Sequence, residues 1–119
     1  MKILIFTLTI AALLSLSACG KNNNPDNTNL AKNIETTKYK IPKGYKIPHI
    51  GWNPLIFPND KPKSKLYKYV EEGECVYFVH SFYGKNCDEF VSATTEYGGI
   101  LTASVENANV YGTQFHPEK

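Results

Sequence analysis

Closely spaced prolines and glycines are the feature that most restricts the fold of this 119-residue chain. Proline fixes φ and has no backbone N–H to donate, so a helix cannot run far through a stretch that contains several of them. Residues 39–62 are therefore predicted to form strands and loops. The breaking residues in this stretch are Pro42, Gly44, Pro48, Gly51, Pro54, Pro58 and Pro62.

A nearly unbroken apolar and aromatic run follows at residues 75–83. Such a run is typical of a strand buried on both faces, so it is predicted to form the centre of the sheet. Turn residues separate three further predicted strands, at 89–95, 101–105 and 110–116, and the first of these is expected to pair with the central strand. One short helix is expected between Ser64 and Glu72.

The charged residues and the spacing of potential metal ligands exclude several classes of function. The formal net charge is only +2 and the sequence contains no arginine, so a nucleic-acid-binding role is not expected. The three cysteines have no C-x-x-C spacing, and the three histidines lie far from one another in sequence. No metal site or cofactor is predicted.

The first 38 residues differ in composition from the rest. An apolar run from Ile3 to Leu16 follows Lys2 and ends in Leu-Ser-Ala-Cys at 16–19, the pattern of a bacterial lipoprotein signal. Residues 1–19 are therefore predicted to be a signal peptide whose Cys19 takes a lipid, which anchors the protein to a membrane. Residues 20–38 are rich in asparagine and are predicted to be a disordered tether before a domain at 39–119.

Four segments of that domain match one family in order and spacing. They are Ile-Pro-His-Ile-Gly-Trp-Asn at 47–53, Val-Tyr-Phe-Val-His-Ser-Phe-Tyr at 76–83, Ala-Thr-Thr-Glu-Tyr-Gly-Gly at 93–99 and Gln-Phe-His-Pro-Glu-Lys at 114–119. Residues 41–119 thus resemble the C-terminal half of class I glutamine amidotransferases, especially the glutaminase subunit of imidazole glycerol phosphate synthase. The resemblance implies an α/β domain with a mixed, mostly antiparallel sheet and one short helix, incomplete without the N-terminal half.

The resemblance also implies a role for the C-terminal His-Pro-Glu. In that family a histidine and a glutamate complete a Cys-His-Glu triad, which places His116 and Glu118 in the catalytic site. The spacing suits this chemistry, because residues i and i+2 of an extended segment point to the same side. Taken alone, His-Pro-Glu is also typical of a surface turn.

Further roles follow from the same resemblance. The segment His80, Ser81 and Phe82 is expected to help hold the glutamine substrate, although a core strand running into a turn explains it equally well. Four residues, together with His80, are expected to face a cyclase subunit that receives the ammonia, with burial in the core as the alternative. These four are Trp52, Asn53, Tyr77 and Lys119.

The family nucleophile, a cysteine within Gly-x-Cys-x-Gly, has no counterpart in this sequence. Cys75 begins a predicted strand, and Cys87 lies beside Asp88, whose charge disfavours a thiolate. Glutaminase activity is therefore not expected from this chain alone. Two other interpretations remain open. One is a small anchored lipoprotein that binds a partner with this sheet as scaffold; the other is a fused, truncated or misassembled gene whose leader and amidotransferase tail never shared a working ancestor. A cytoplasmic location, as in the family that the domain resembles, is the alternative to the membrane anchor.

Overall fold

The computed structural model describes residues 2–5, 35–38, 40 and 42–119. The segment around Cys19 and most of the predicted tether lie outside these residues. Eight strands are described: β1 (Lys2–Ile5), β2 (Glu35–Lys38), β3 (His49–Pro54), β4 (Cys75–His80), β5 (Phe82–Lys85), β6 (Val91–Glu96), β7 (Ile100–Asn107) and β8 (Val110–Thr113). Short 3₁₀ helices cover Lys65–Tyr67 and Asp88–Phe90.

The strands form a four-stranded sheet in the order β1-β8-β7-β6 and two ribbons, β2 with β5 and β3 with β4. All pairs are antiparallel except β1 with β8, which run parallel from Lys2 opposite Val110 to Ile5 opposite Thr113. The expectation of a mixed, mostly antiparallel sheet architecture is thus confirmed. The predicted helix between Ser64 and Glu72 is present only as a single 3₁₀ turn, which the Ser64 hydroxyl caps by accepting from the backbone N–H of Leu66.

The apolar run at 75–83 does not form one central strand. The chain bends at Ser81, so that β4 pairs with β3 and β5 pairs with β2. The predicted pairing with the 89–95 strand is therefore wrong, because that strand, β6, takes β7 as its hairpin partner. Exposure alternates along the end of β4, with Phe78 and His80 buried and Val79 partly exposed between them. Tyr77, on the same face as Val79, is only partly buried for this reason.

Strands β1 and β2 lie in the region that was predicted to be leader and tether. Lys2–Ile5 is the edge strand of the larger sheet, and Glu35–Lys38 pairs with β5 over its whole length. The two threonines at 36 and 37 favour a strand here, because β-branched side chains fit a pleated strand. The backbone of β2 is paired with the edge of β5, whereas a disordered tether would have no such backbone partners.

The main core lies between the β3–β4 ribbon and the β6–β7 hairpin. Two backbone hydrogen bonds between Ile56 and Thr94 join the chain beyond β3 to β6. A second, smaller cluster forms where Cys87 meets Val105. The main core consists of Leu55, Tyr67, Phe78, Ala93, Ala103 and Phe115.

Candidate active site

The segment after β8 carries the predicted catalytic pair. Phe115 is 5% exposed and points into the core, so His116, the next residue, projects to the opposite side. The backbone N–H of His116 donates to the carbonyl of Tyr77 at 2.9 Å, and this hydrogen bond links the segment to β4. The position of the imidazole is thus set by one buried neighbour and one backbone hydrogen bond.

His116 and Glu118 lie together, as the sequence spacing predicts. Nδ1 of His116 is 2.8 Å from Oε1 of Glu118, and the side chains are 21% and 57% exposed. The hydrogen bond from the imidazole holds the pKa of the Glu118 carboxyl below its usual range, with a smaller contribution from a backbone hydrogen bond. A carboxylate that accepts from Nδ1–H keeps the lone pair on Nε2, which is the tautomer a general base requires.

Three of the predicted partner-facing residues lie beside His116 and contact one another through Tyr77. The ring of Tyr77 lies 6.3 Å from that of His116 and 5.4 Å from that of Trp52. The ammonium group of Lys119 lies 5.8 Å from the centre of the Tyr77 ring, a cation–π distance. Trp52 is 58% exposed, so burial in the core does not explain it. We call Trp52, Tyr77 and Lys119 the aromatic patch.

Asn53 and His80 belong to a different group, which the sequence did not reveal. His49 and His80 are buried and directly opposite each other on β3 and β4, with Nδ1 of His49 2.9 Å from Nε2 of His80. Nε2 of His49 is 2.7 Å from Oδ1 of Asn53, whose Nδ2 donates to the carbonyl of Glu96 at 3.1 Å. Thirty-one positions separate the two histidines in sequence, and only strand pairing brings them together.

One residue of the segment predicted to hold glutamine, His80, belongs to this buried histidine group. His80 is 2% exposed and its Nδ1 lies 2.9 Å from the carbonyl of Phe82. Its ring therefore does not face the surface on which the aromatic patch lies. Burial lowers the pKa of His80 to about 4, with the neighbouring His49 adding to that effect, and burial also lowers the pKa of His49. Ser81 and Phe82 are half-buried, and the role of the segment in binding glutamine stays a prediction.

Neither cysteine of the described region resembles an activated nucleophile. Cys75 is exposed at the start of β4. Cys87 is 1% exposed and its Sγ lies 3.6 Å from Oγ1 of Thr102; burial raises the pKa of this thiol. Among the described residues, no group of three or more histidine, cysteine or acidic side chains could hold a metal ion. Within the same residues, no helix has the length and apolar character needed to cross a bilayer.

Comparison with known proteins identifies the family. A family model described as "Glutamine amidotransferase class-I" matches residues 13–119. The subunit HisH of imidazole glycerol phosphate synthase from Methanothermobacter thermautotrophicus is 48% identical over 80 residues, which is 67% of this chain and 38% of the relative. Subunit HisH 1 from Campylobacter jejuni is 45% identical over 85 residues, which is 71% of this chain and 41% of the relative.

The match therefore spans 38–41% of the length of these relatives. The family-model match, over residues 13–119, includes the His-Pro-Glu segment, whose two side chains are hydrogen-bonded in the structure, and it extends upstream of the 41–119 range in which the sequence signatures lie. The chain belongs to the class-I glutamine amidotransferase family.

Proposed function

We propose that this chain supplies the histidine and glutamate of a glutamine-hydrolysing site of the imidazole glycerol phosphate synthase type, and that the thiol comes from another polypeptide segment. The observation that carries the proposal is the 2.8 Å contact between Nδ1 of His116 and Oε1 of Glu118. A surface turn without a catalytic role needs no such pairing, whereas a general base needs an oriented imidazole with its Nε2 lone pair available.

The chemistry follows from this orientation. Nε2 of His116 takes the proton of the incoming thiol, and the thiolate attacks the side-chain amide carbon of glutamine. The same proton then passes from the imidazolium to the departing nitrogen, so that ammonia leaves and a thioester remains for water to hydrolyse. Glu118 stabilises the imidazolium through the bond to Nδ1. The products are glutamate and ammonia.

The aromatic patch supports a partner next to this site. An exposed tryptophan beside a half-buried tyrosine is the composition that protein interfaces favour, and the lysine next to them adds a positive charge for an acidic group of the partner. Because the patch adjoins His116, a cyclase subunit bound there would receive ammonia close to where it forms. Trp52→Ala should weaken such a complex by about 2 kcal/mol, or roughly 30-fold in Kd. Ile100→Ala, at a residue that is 64% exposed on β7, is the matched control.

Mixing fragments tests the catalytic part of the proposal. The purified chain should release no ammonia from glutamine by itself, and should do so when mixed with a separately expressed amidotransferase N-terminal half that carries Gly-x-Cys-x-Gly. His116→Ala should abolish the recovered activity, whereas Tyr69→Ala, at a residue that is 83% exposed, should not change it. Ammonia release by the chain alone, or its persistence in His116→Ala, would show that the site works differently.

We also propose that Cys19 is lipidated and anchors the chain to a membrane, with a cytoplasmic protein as the alternative. The apolar run followed by Leu-Ser-Ala-Cys supports the anchor. The position of Lys2–Ile5 in the larger sheet favours the alternative, because cleavage before Cys19 removes that strand. Labelling with radioactive palmitate, with Cys19→Ser as control, separates the two: label lost in the variant supports the anchor, and an unlabelled protein with intact N-terminal mass contradicts it.

A further inference from the structure

Four lysines lie close together between the end of β2 and the start of β3, and no acidic residue lies among them. All four are exposed, and we call Lys38, Lys40, Lys43 and Lys46 the lysine patch. The chain has a formal net charge of +2, so the patch contributes +4 and the remaining residues together carry −2. The net positive charge of the protein therefore comes from this segment.

The part of the patch nearest β3 is held against the body of the protein. A turn forms between Pro42 and Tyr45, with 3.5 Å between the carbonyl oxygen of the first and the backbone nitrogen of the second. The hydroxyl of Tyr97 donates to the carbonyl of Lys46 at 3.0 Å, and the rings of Tyr97 and Tyr45 make an edge-to-face contact with 5.0 Å between centroids. Lys43, within the turn, and Lys46 after it therefore extend from a fixed backbone.

The protein does not neutralise these charges itself. Among the described residues, no carboxylate oxygen lies within 4.0 Å of any of the four ammonium groups. The lysines at 61–68 differ in this respect. Nζ of Lys61 donates to the backbone carbonyl of Asp88 at 2.7 Å, and Nζ of Lys63 lies 3.9 Å from Oε2 of Glu71. The lysine patch instead presents all of its charges to solvent, where an external anion can reach them.

Two large apolar side chains lie next to these charges and are also exposed. Tyr45 is 47% exposed and Ile47 is 43% exposed, on either side of Lys46 in the sequence. Ammonium groups attract anionic lipid headgroups, while a tyrosine ring and an apolar side chain are stable at the boundary between headgroups and acyl chains. An acidic protein surface would use only the charges. The combination therefore fits the surface of a bilayer.

The position of the patch in the chain agrees with this partner. Lys38 is the last residue of the segment that the sequence predicts to be a tether from Cys19. The nineteen positions from Cys19 to Lys38 span at most about 65 Å when fully extended. A lipid on Cys19 would thus keep the patch within reach of the membrane, and one acyl chain by itself gives only weak, reversible binding.

We propose that the lysine patch, together with Tyr45 and Ile47, binds the anionic surface of a lipid bilayer. Each lysine near such a surface strengthens binding about fivefold, so the four together strengthen it several hundredfold over an uncharged surface. The contact is made by side chains of the folded domain. It requires neither a lipid on Cys19 nor glutamine hydrolysis at His116, so it stands or falls separately from both.

Co-sedimentation with lipid vesicles tests the proposal on the full chain, with Cys19→Ser in every sample so that no acyl chain contributes. The protein should bind vesicles made of equal parts phosphatidylcholine and phosphatidylglycerol, and bind phosphatidylcholine vesicles far more weakly. Raising the salt from about 0.1 to 1 M should release it, because the Debye length falls from about 10 to 3 Å. Absence of binding to the mixed vesicles, or equal binding to both kinds, would overturn the proposal.

Two triple variants with the same change in charge locate the binding surface. Replacing the lysines at 40, 43 and 46 by glutamine should weaken binding to the mixed vesicles about 100-fold. Replacing those at 63, 65 and 68 by glutamine should change it by no more than about threefold. Trp52 fluorescence and circular dichroism show that both variants are folded. Equal losses in the two variants would mean that total charge, and not the lysine patch, attracts the protein to the vesicles.

One further variant separates a bilayer from an acidic protein as the partner. Ile47→Ser should weaken binding to the mixed vesicles about fivefold, because the exposed part of the side chain no longer enters the interface. Its binding to soluble polyglutamate, which offers charge without an apolar phase, should stay as in the parent. Unchanged vesicle binding in Ile47→Ser, with polyglutamate bound as tightly as the vesicles, would assign the patch to an acidic protein and contradict the proposal.

Discussion

Replacing Phe78 by alanine tests whether the β3–β4 ribbon is stabilised by the same core that supports the segment with His116 and Glu118. Phe78 is fully buried and its ring lies 5.0 Å from that of His49 and 6.0 Å from that of Phe115, the residue before His116. Removing a buried phenylalanine side chain costs about 3–5 kcal/mol. A domain the size of residues 42–119 has a total stability of about 4–12 kcal/mol.

The substitution is therefore expected to remove a large share of the free energy of unfolding. Urea denaturation followed by fluorescence measures this directly, because Trp52 is the only tryptophan and lies on the strand paired with β4. Phe78→Leu keeps most of the volume and should cost less than about 1.5 kcal/mol. Tyr69→Ala, at the surface, should stay within about 0.5 kcal/mol of the parent. A loss below about 1 kcal/mol for Phe78→Ala would show that the ribbon does not depend on this core.

Three further changes test the site and the turns. Glu118→Gln should keep the fold but lower the complemented ammonia release on the order of 10³–10⁴-fold, because an amide does not stabilise the imidazolium; an unchanged rate would remove the carboxylate from the mechanism. Folding lowers the pKa values of His49 and His80, so below about pH 6.5 the unfolded chain binds more protons than the folded chain. The free energy of unfolding should therefore fall as the pH drops, by about 1.4 kcal/mol per pH unit for each extra proton that the unfolded chain binds. Unfolding midpoints that are flat or rise toward pH 5 would contradict this sign. Gly98→Ala should cost about 1–2 kcal/mol in a thermal melt, because φ is +67° and a Cβ would lie 3.1 Å from two neighbouring side chains; an unchanged melting temperature would contradict this.

The local parts of the site could be predicted from sequence because they depend on short-range geometry. His116 and Glu118 are two residues apart in an extended segment, and that spacing alone brings their side chains to one side. The breakers in residues 39–62 likewise excluded long helices, and the described part of that stretch holds a single strand between loops. The single turn at Lys65–Tyr67 is shorter than the expected helix, although Leu66, Tyr67 and Val70 all pack against the main core.

Pairing between distant segments decided the rest. The composition of residues 75–83 is compatible with one central strand and equally with two strands in separate ribbons. The partners of these strands, β3 and β2, depend on which backbone edges and apolar faces the rest of the fold presents. The buried His49–His80 contact depends on that pairing, since no local spacing relates two residues thirty-one positions apart. The sequence alone thus determined the family, the strand-rich character and the pairing of His116 with Glu118, which all rest on short contiguous patterns. Only the tertiary structure placed the pair against Tyr77 and created the histidine pair beneath the aromatic patch, because strand register is a property of the assembled sheet.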